Sequence, residues 1–238
     1  MNAFDYSILS ALNRFAGRHS SFDGFVVSLA NDGGFLKAGL IGALCYWAWF
    51  KNGEDKQKNK EAREAIISAM LACLFSIVLA RLIVMAFPFR IRPLADPTNG
   101  FHFPAESIDW QNWSSFPSDN AILFFMITTC LFSISRVFGW IALLDTVFLI
   151  CLPRVYLGIH YPTDILAGAA MGIGIGLLAS QKAVNSRVAR IPFLWLEKHP
   201  GSFYAASFLL MFQVTAIFWD VRYVASGIIK HVAKLFGH

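Results

Sequence analysis

Charged residues are scarce in this chain: they make up 15% of it, against roughly 25% in a typical soluble domain. Together with a hydrophobic content of 56%, this scarcity excludes an ordinary water-soluble globule. Long apolar blocks recur from about residue 24 to residue 219 and leave no stretch for a second folding unit. We therefore expect residues 1–238 to form one all-α domain, a polytopic helical bundle in a membrane.

Three sequence features that would indicate other classes are also missing. The four cysteines form no CxxC pair and have no histidine at metal-ligand spacing, which argues against a disulfide framework or a zinc site. The net charge is +5, but the basic residues lie in short loops between apolar blocks, so we expect no nucleic-acid partner. The N-terminus lacks the basic region that precedes the apolar core of a cleaved signal peptide.

Residues 1–20 are predicted to form a short interfacial helix, because Phe4, Ile8, Leu12 and Phe15 recur at helical spacing. Six later blocks approach the roughly 20 apolar residues that a membrane span needs. They lie at about 33–50, 65–88, 118–135, 137–153, 163–181 and 202–220. We expect a six-span bundle over residues 20–220, followed by a basic and apolar tail at 221–238.

The distribution of lysine and arginine predicts the orientation of this bundle. The first, third and fifth loops between the blocks contain ten of these residues, against five before the first block and in the second and fourth loops. Because cytoplasmic loops carry the excess of positive charge, the second and fourth loops are expected to share the outer face of the membrane.

The fourth loop, residues 153–164, contains Arg154, His160 and Asp164, which are costly at a membrane boundary unless they pair or bind a ligand. His160 and Asp164 can meet if the next helix opens directly after Tyr161-Pro162. A carboxylate on one ring nitrogen would orient the other for nucleophilic attack. The alternative is a snorkelling Arg154 and a helix-capping Asp164.

The second loop supplies residues suited to an anion. Arg90 and Arg92 offer fork-shaped donors for phosphate oxygens. Ser118, Asp119 and Asn120 begin an apolar helix, whose exposed N–H groups and dipole favour negative charge. Taken one at a time, the serine is explained as a helix N-cap and the arginines as ordinary interfacial anchors. Together with the fourth loop, these residues predict an anion pocket that contains a histidine.

These motifs resemble the phosphatidic acid phosphatase type 2 superfamily, whose signature is KxxxxxxRP, PSGH and SRxxxxxHxxxD. The third part is matched by Arg154, His160 and Asp164, with Pro153 at the serine position. The FPSD sequence and the opening helix are most similar to the undecaprenyl diphosphate phosphatase branch.

The other two parts of the signature are matched with departures. The second part is matched by Pro117 and Ser118, while Asp119 and Asn120 replace its glycine and histidine. The first part is matched by Arg92 and Pro93, while Met85 stands at the lysine position.

The resemblance implies that His160 attacks phosphorus to form a phosphohistidine while Asp164 holds its ring. It implies further that Arg92 and Arg154 clamp the phosphoryl oxygens and that Ser118 helps to bind them. No metal or organic cofactor is needed in this chemistry. The expected activity is hydrolysis of a lipid-linked, polyprenyl diphosphate to the monophosphate at the outer face of a bacterial inner membrane. The expected partners are this substrate and the membrane lipids.

Asn120 bears on the substrate, because asparagine cannot supply the proton that the family histidine gives to the leaving oxygen. A lipid monophosphate expelled from a diphosphate is weakly basic and needs this proton little, so we expect diphosphates to be preferred over monoesters. His102 and Asp119 are alternative sources of the lost acid.

The missing lysine has two candidate replacements. Arg90 is preferred because it lies close to Arg92, and Arg81, one helical turn before Met85, is the alternative. Asp145 lies inside the fourth apolar block, where an unpaired carboxylate is costly. We expect it to pair with Arg81 or Lys37, and a proton-handling or gating role is the alternative.

Two other functions remain open. A phosphotransferase would pass the phosphoryl group of the same intermediate to a glycan or lipid acceptor. A non-catalytic lipid-phosphate binder or transporter would account for the two missing family residues.

Overall fold

The computed structural model describes residues 1–31, 39–51, 53–104 and 114–215. In this part of the chain the regular secondary structure is helical and includes no strand, which confirms the predicted all-α fold. The chain divides into two compact units, residues 1–190 and 191–238, so its organisation as one domain stays a prediction. The start of the first predicted span and the predicted tail lie outside the described residues.

The described residues form ten α-helices. They are α1 Ala3–Asn13, α2 Ser20–Asn31, α3 Leu40–Phe50, α4 Lys56–Ala86, α5 Asp119–Ile134, α6 Arg136–Leu144, α7 Leu152–Tyr156, α8 Pro162–Ala179, α9 Lys182–Lys198 and α10 Pro200–Thr215. A π-helical segment, Asp145–Cys151, joins α6 to α7, so that Arg136–Tyr156 is one continuous helical run. The second loop contains a short 3-10 helix, Pro93–Ala95.

Three helical segments of the described chain are long and apolar enough to cross a membrane: Lys56–Ala86, Arg136–Tyr156 and Pro162–Ala179. Shorter apolar helices are Ser20–Ala30, Leu40–Phe50 and Asp119–Ile134. Large apolar side chains such as Leu82, Leu166 and Leu177 are more than half exposed on these helices. Such surfaces match a lipid environment, because a soluble fold rarely exposes apolar patches of this extent.

The glycine repeat of α8 packs directly against α5. A Cβ atom on Gly168 would lie 2.7 Å from the carbonyl oxygen of Ser118, and one on Gly172 would lie 2.3 Å from that of Ile122. Because only glycine permits this approach, Gly168, Gly172 and Gly176, which repeat every four residues, allow the two helices to pack closely. The contact also places the first turn of α8 beside the first turn of α5, where the second and fourth loops end.

The turn between α7 and α8 depends on another glycine. Gly158 has a φ of +67°, in the left-handed region that favours glycine, and a Cβ atom there would lie 2.8 Å from the ring of Phe103. This turn directs residues 159–161 back towards the start of α8. The geometry determines where His160 lies.

Candidate active site

The second and fourth loops meet through hydrogen bonds between their main chains and side chains. The Leu94 amide donates to the Gly158 carbonyl at 2.9 Å, and the Ser118 amide donates to the Asp164 carbonyl at 3.3 Å. Arg92 Nη1 donates to the Ile159 carbonyl at 2.8 Å. The two loops that contain the sequence motifs therefore lie at the same end of the bundle.

His160 is 3% exposed and lies between these loops. Its Nδ1 atom is 2.8 Å from the carbonyl oxygen of Ser115. Because a carbonyl oxygen can only accept, Nδ1 holds the hydrogen and Nε2 holds the lone pair. Burial lowers the pKa of His160 below its ordinary value, against an opposing effect of Asp164. The ring is thus neutral at neutral pH, with Nε2 able to act as a nucleophile.

Asp164 is completely buried but does not hold the histidine ring by a hydrogen bond. Its Oδ2 atom lies 3.9 Å from His160 Nδ1, beyond hydrogen-bond distance. That oxygen accepts instead from the Tyr161 amide at 2.8 Å, and Oδ1 pairs with Arg90. Asp164 therefore caps α8 and lies near the ring as a charge. The structure places His160 and Asp164 close together, as predicted, but the direct hydrogen bond of the imidazole is to the Ser115 carbonyl.

Two arginines from different loops are buried beside the histidine motif. Arg92 donates to the Ile159 carbonyl and, at 3.3 Å, to the Ser114 carbonyl. Burial lowers the pKa of Arg92 to about 10, although Asp119 and Asp164 oppose the shift, so the group is charged at neutral pH. Arg92 and Arg154 also interact electrostatically with each other.

Arg154 is 4% exposed and donates Nη1 to the Ile150 carbonyl at 2.6 Å, one turn earlier in its helix. Within the described part of the chain this is its one side-chain hydrogen bond. A buried guanidinium has five N–H donors, and donors without partners are costly there. The remaining donors of Arg154 are therefore suited to an anionic ligand.

Asp119 and Asn120 form the other side of the site. Asp119 Oδ2 accepts from Arg81 Nη2 at 3.1 Å, and its Oδ1 accepts from the Asn120 amide and side chain at 2.9 and 3.1 Å. Asp119 also interacts electrostatically with Arg92 and Arg154. The carboxylate in the second motif thus pairs with Arg81 and interacts electrostatically with the two buried arginines.

Arg81 and Arg90 differ from the sequence expectation in which of them reaches the second motif. Arg90, the preferred replacement for the missing lysine, directs its guanidinium to Asp5 and Asp164. Arg81, the alternative, reaches the second motif through Asp119. The physical reason is that two buried carboxylates attract Arg90, whereas Arg81 projects from the last third of α4 towards the start of α5.

Ser118 serves as a helix cap, as its sequence context indicates. It is fully buried, and its Oγ atom accepts from the Ala121 amide at 3.4 Å at the start of α5. Its hydroxyl hydrogen is a donor that could serve an anion, whereas the Asn120 and Ala121 amides of the first turn already donate to Asp119 and Ser118.

Two further candidates, His102 and Asp145, lie apart from these contacts. His102 is exposed, and its main chain bonds to Asn13. Asp145 is 3% exposed, and neither of its oxygens has a hydrogen-bond partner in the described part of the chain. Its expected partner Arg81 pairs with Asp119, and Lys37 lies outside the described residues.

The sequence motifs missed Asp5, Thr163 and Ser115. Asp5 accepts from Arg90 Nη2 at 2.9 Å and from Thr163 Oγ1 at 2.8 Å, although 85 residues separate it from Arg90. The one available signal was a carboxylate in an otherwise apolar short helix. Ser115 acts through its main chain, which no side-chain pattern can indicate.

The site thus consists of a neutral, buried imidazole beside a set of arginines at one end of an apolar helical bundle. This arrangement is the one expected of an anion site in a membrane protein. Residues 65–187 match the model of the PAP2 superfamily, and the chain belongs to this family. The resemblance inferred from the motifs is confirmed. Among the described residues there is no group of three or more His, Cys, Asp or Glu that could hold a metal ion.

Two curated relatives align with the same length of chain. The bacitracin transport permease protein BcrC of Bacillus licheniformis is 30% identical over 139 residues, which are 58% of this chain and 60% of BcrC. YbjG of Escherichia coli (strain K12), named for a proposed undecaprenyl-diphosphatase activity, is 27% identical over 139 residues, 58% of this chain and 63% of YbjG. The aligned segment thus spans about three fifths of each relative.

One solved structure is similar in fold as well as in sequence. The crystal structure of Aquifex aeolicus LpxE superimposes with a TM-score of 0.50 at 26% identity, covering 75% of this chain and 95% of that one. This similarity supports the helical-bundle fold.

Proposed function

We propose that this protein is a membrane phosphatase that hydrolyses a lipid-linked diphosphate, with a polyprenyl chain, to the lipid monophosphate. The observation that carries the proposal is the buried His160, whose Nδ1 is bonded to Ser115 and whose Nε2 is left to react, beside the arginines of two loops. The name of the relative YbjG supports the same substrate class.

In the first step of this proposal, Nε2 of His160 attacks the terminal phosphorus. The N–P bond forms while the bond from phosphorus to the bridging oxygen breaks, and the lipid monophosphate leaves with that electron pair. The hydrogen bond from Nδ1 to the Ser115 carbonyl stabilises the positive charge that develops on the ring. Arg92 and Arg154 stabilise the negative charge on the phosphoryl oxygens.

In the second step, water attacks the phosphohistidine. The O–P bond forms, the N–P bond breaks, the ring recovers its lone pair, and inorganic phosphate leaves with the oxygen and both hydrogens of the water. Asp119 shares its arginines with the phosphate during both steps, since it interacts with Arg81, Arg92 and Arg154.

The diphosphate preference is inferred from Asn120. This side chain is 6% exposed and donates to Asp119, and it cannot transfer a proton at neutral pH. An alkoxide leaving group needs a proton, whereas a phosphate monoester leaves as a stable anion. General acid catalysis is worth about 100- to 10,000-fold where it is needed. The site therefore favours diphosphates over monoesters.

The proposed location is the bacterial inner membrane, with the site facing the periplasm or the cell exterior. The support is the distribution of basic residues: ten lie in the first, third and fifth loops, against five before the first block and in the second and fourth loops and three in the tail.

Asn120→His should restore the missing acid and raise turnover of a lipid monoester such as phosphatidic acid by about tenfold or more. Turnover of a polyprenyl diphosphate should change by less than about threefold, because its leaving group needs no proton. Phosphate release by the purified protein across lipid mono- and diphosphates checks both values. Asn120→Gln is the matched control, since it keeps the amide and should not raise monoester turnover. Faster monoester than diphosphate hydrolysis by the unaltered protein would contradict the proposal.

The phosphotransferase alternative is separated by the fate of the phosphoryl group. With a substrate labelled in its terminal phosphate, hydrolysis gives labelled inorganic phosphate whether or not a glycan or lipid acceptor is added. Label on the acceptor would identify a transferase. No release and no transfer, with retained binding of the lipid, would identify the non-catalytic binder.

A further inference from the structure

Helix α1 contributes a fully buried carboxylate to the region behind the candidate site. Asp5 is 0% exposed and lies outside residues 65–187, the segment that matches the family. Its Oδ1 atom accepts from the Thr163 amide at 2.9 Å, and its Oδ2 atom accepts from Thr163 Oγ1 at 2.8 Å and Arg90 Nη2 at 2.9 Å. Asn2 Nδ2 also donates to Oδ2 at 2.9 Å. Such complete pairing is what a buried charge requires.

Arg90 connects Asp5 to the third motif. While Nη2 bonds to Asp5, Nη1 bonds to Asp164 and, at 3.0 Å, to Thr163 Oγ1. The guanidinium also lies over the ring of Tyr161, with its carbon 4.1 Å from the ring centroid. Its orientation is therefore determined by two carboxylates and one aromatic ring.

Main-chain hydrogen bonds connect Arg90 to the histidine through Ser115. Its carbonyl accepts from the Ser115 amide at 2.9 Å, and its amide donates to Ser114 Oγ at 3.2 Å. The Ser115 carbonyl is the hydrogen-bond partner of His160. Arg90 thus holds, through separate atoms, both Asp164 and Ser115, the residue whose carbonyl orients the imidazole.

We propose that Asp5 is a positioning residue for the reaction of His160, acting through Arg90 and Thr163. This inference rests on the proposed function for the identity of the reaction. The carboxylate fixes the guanidinium and the first turn of α8, so that Ser115 is held where its carbonyl orients the ring and Asp164 is held close to the ring. Helix α1 is then part of the catalytic unit as well as a membrane-surface element.

The proposal predicts which kinetic constant changes when Asp5 is altered. Without this carboxylate the Thr163 amide and Arg90 Nη2 lose their acceptor, and the guanidinium shifts. A displacement of about 1 Å at a reacting group costs up to about 100-fold in rate. Arg92 and Arg154 are held by the Ile159 and Ile150 carbonyls, so binding of the phosphate should persist.

Asp5→Asn is the variant of choice because it preserves size while presenting a donor to Arg90 and Thr163. We expect kcat on a polyprenyl diphosphate to fall by about 10- to 100-fold with KM changed by less than about threefold. Asn13→Asp is the matched control: it is the reverse exchange on the same helix, and it alters the bonds between Asn13 and the His102 main chain. It should change kcat by less than about twofold. Asp5→Ala is the second variant if Asp5→Asn does not fold.

A double substitution tests whether Asp5 acts through Arg90. Adding Asp5→Asn to Arg90→Ala should lower kcat by a smaller factor than Asp5→Asn does alone, because the bonds to Thr163 are then the part of the link left to disturb. Losses that multiply, a kcat of Asp5→Asn within twofold of the unaltered protein, or equal losses for Asp5→Asn and Asn13→Asp would each overturn the proposal.

Hydrogen–deuterium exchange provides a readout that does not depend on turnover. Asp5→Asn should speed exchange in peptides covering residues 158–165, where the Thr163 amide donates to Asp5 and the Tyr161 amide to Asp164. Asn13→Asp should leave that exchange unchanged. If the unaltered protein releases no phosphate but exchange responds as expected, the proposed function fails and the positioning link stands. If phosphate is released but exchange and kcat do not respond, the positioning link fails.

Discussion

His160→Ala is expected to lower phosphate release from a polyprenyl diphosphate by at least about a thousandfold. The substitution removes the Nε2 lone pair that would form the bond to phosphorus, and neither Arg92 nor Arg154 offers another nucleophile. The Ser115 carbonyl loses its partner, but the loops remain joined by main-chain bonds such as Leu94 to Gly158. Steady-state phosphate release by the purified variant in detergent or liposomes measures the loss.

His102→Ala is the control for this substitution. His102 is an exposed loop residue that bonds to Asn13 through its main chain, so its side chain can be removed without affecting these bonds. We expect less than a twofold change. Residual release by His160→Ala above a few per cent of the unaltered rate would assign the nucleophile to another group.

Arg154→Lys is expected to lower kcat/KM by about 100-fold or more while the protein still folds. The lysine keeps the charge, but its single ammonium cannot bond to the Ile150 carbonyl and also present a planar pair of donors to a phosphoryl group. Kinetics of phosphate release, together with thermal unfolding to show retained folding, check this expectation.

Arg136→Lys is the matched control for Arg154. Arg136 begins the same helical run, Arg136–Tyr156, at its opposite end and is exposed. The same exchange there should change kcat/KM by less than twofold. If Arg154→Lys behaved like Arg136→Lys, then Arg154 would be an interfacial anchor and the anion site would lie elsewhere.

The parts of the fold that depend on local patterns could be predicted from the sequence. Apolar blocks of sufficient length indicated the helices, and the four-residue spacing of Gly168, Gly172 and Gly176 is typical of close helix packing, for which the structure supplies α5 as the partner of α8. The second and fourth loops were expected to share one face because successive spans reverse direction. These inferences succeed because helix periodicity and span length are properties of short segments.

The partners of individual charges could not be predicted in the same way. Arg90 was expected at the phosphate and lies between Asp5 and Asp164, while Arg81 reaches Asp119. The Ser115 carbonyl takes the position expected of the Asp164 carboxylate at the ring. Such choices depend on which buried charges come together after the helices pack, and a main-chain acceptor has no sequence signature.

Trapping the covalent intermediate tests the central claim most directly. The protein is mixed with a polyprenyl diphosphate labelled in its terminal phosphate, and the reaction is stopped in alkali at successive short times. The account predicts protein-bound label that is stable in alkali, is lost in mild acid, maps to the peptide containing His160, and is absent from His160→Ala. Phosphate release that proceeds with no labelled protein at any time, or with label on another residue, would contradict it.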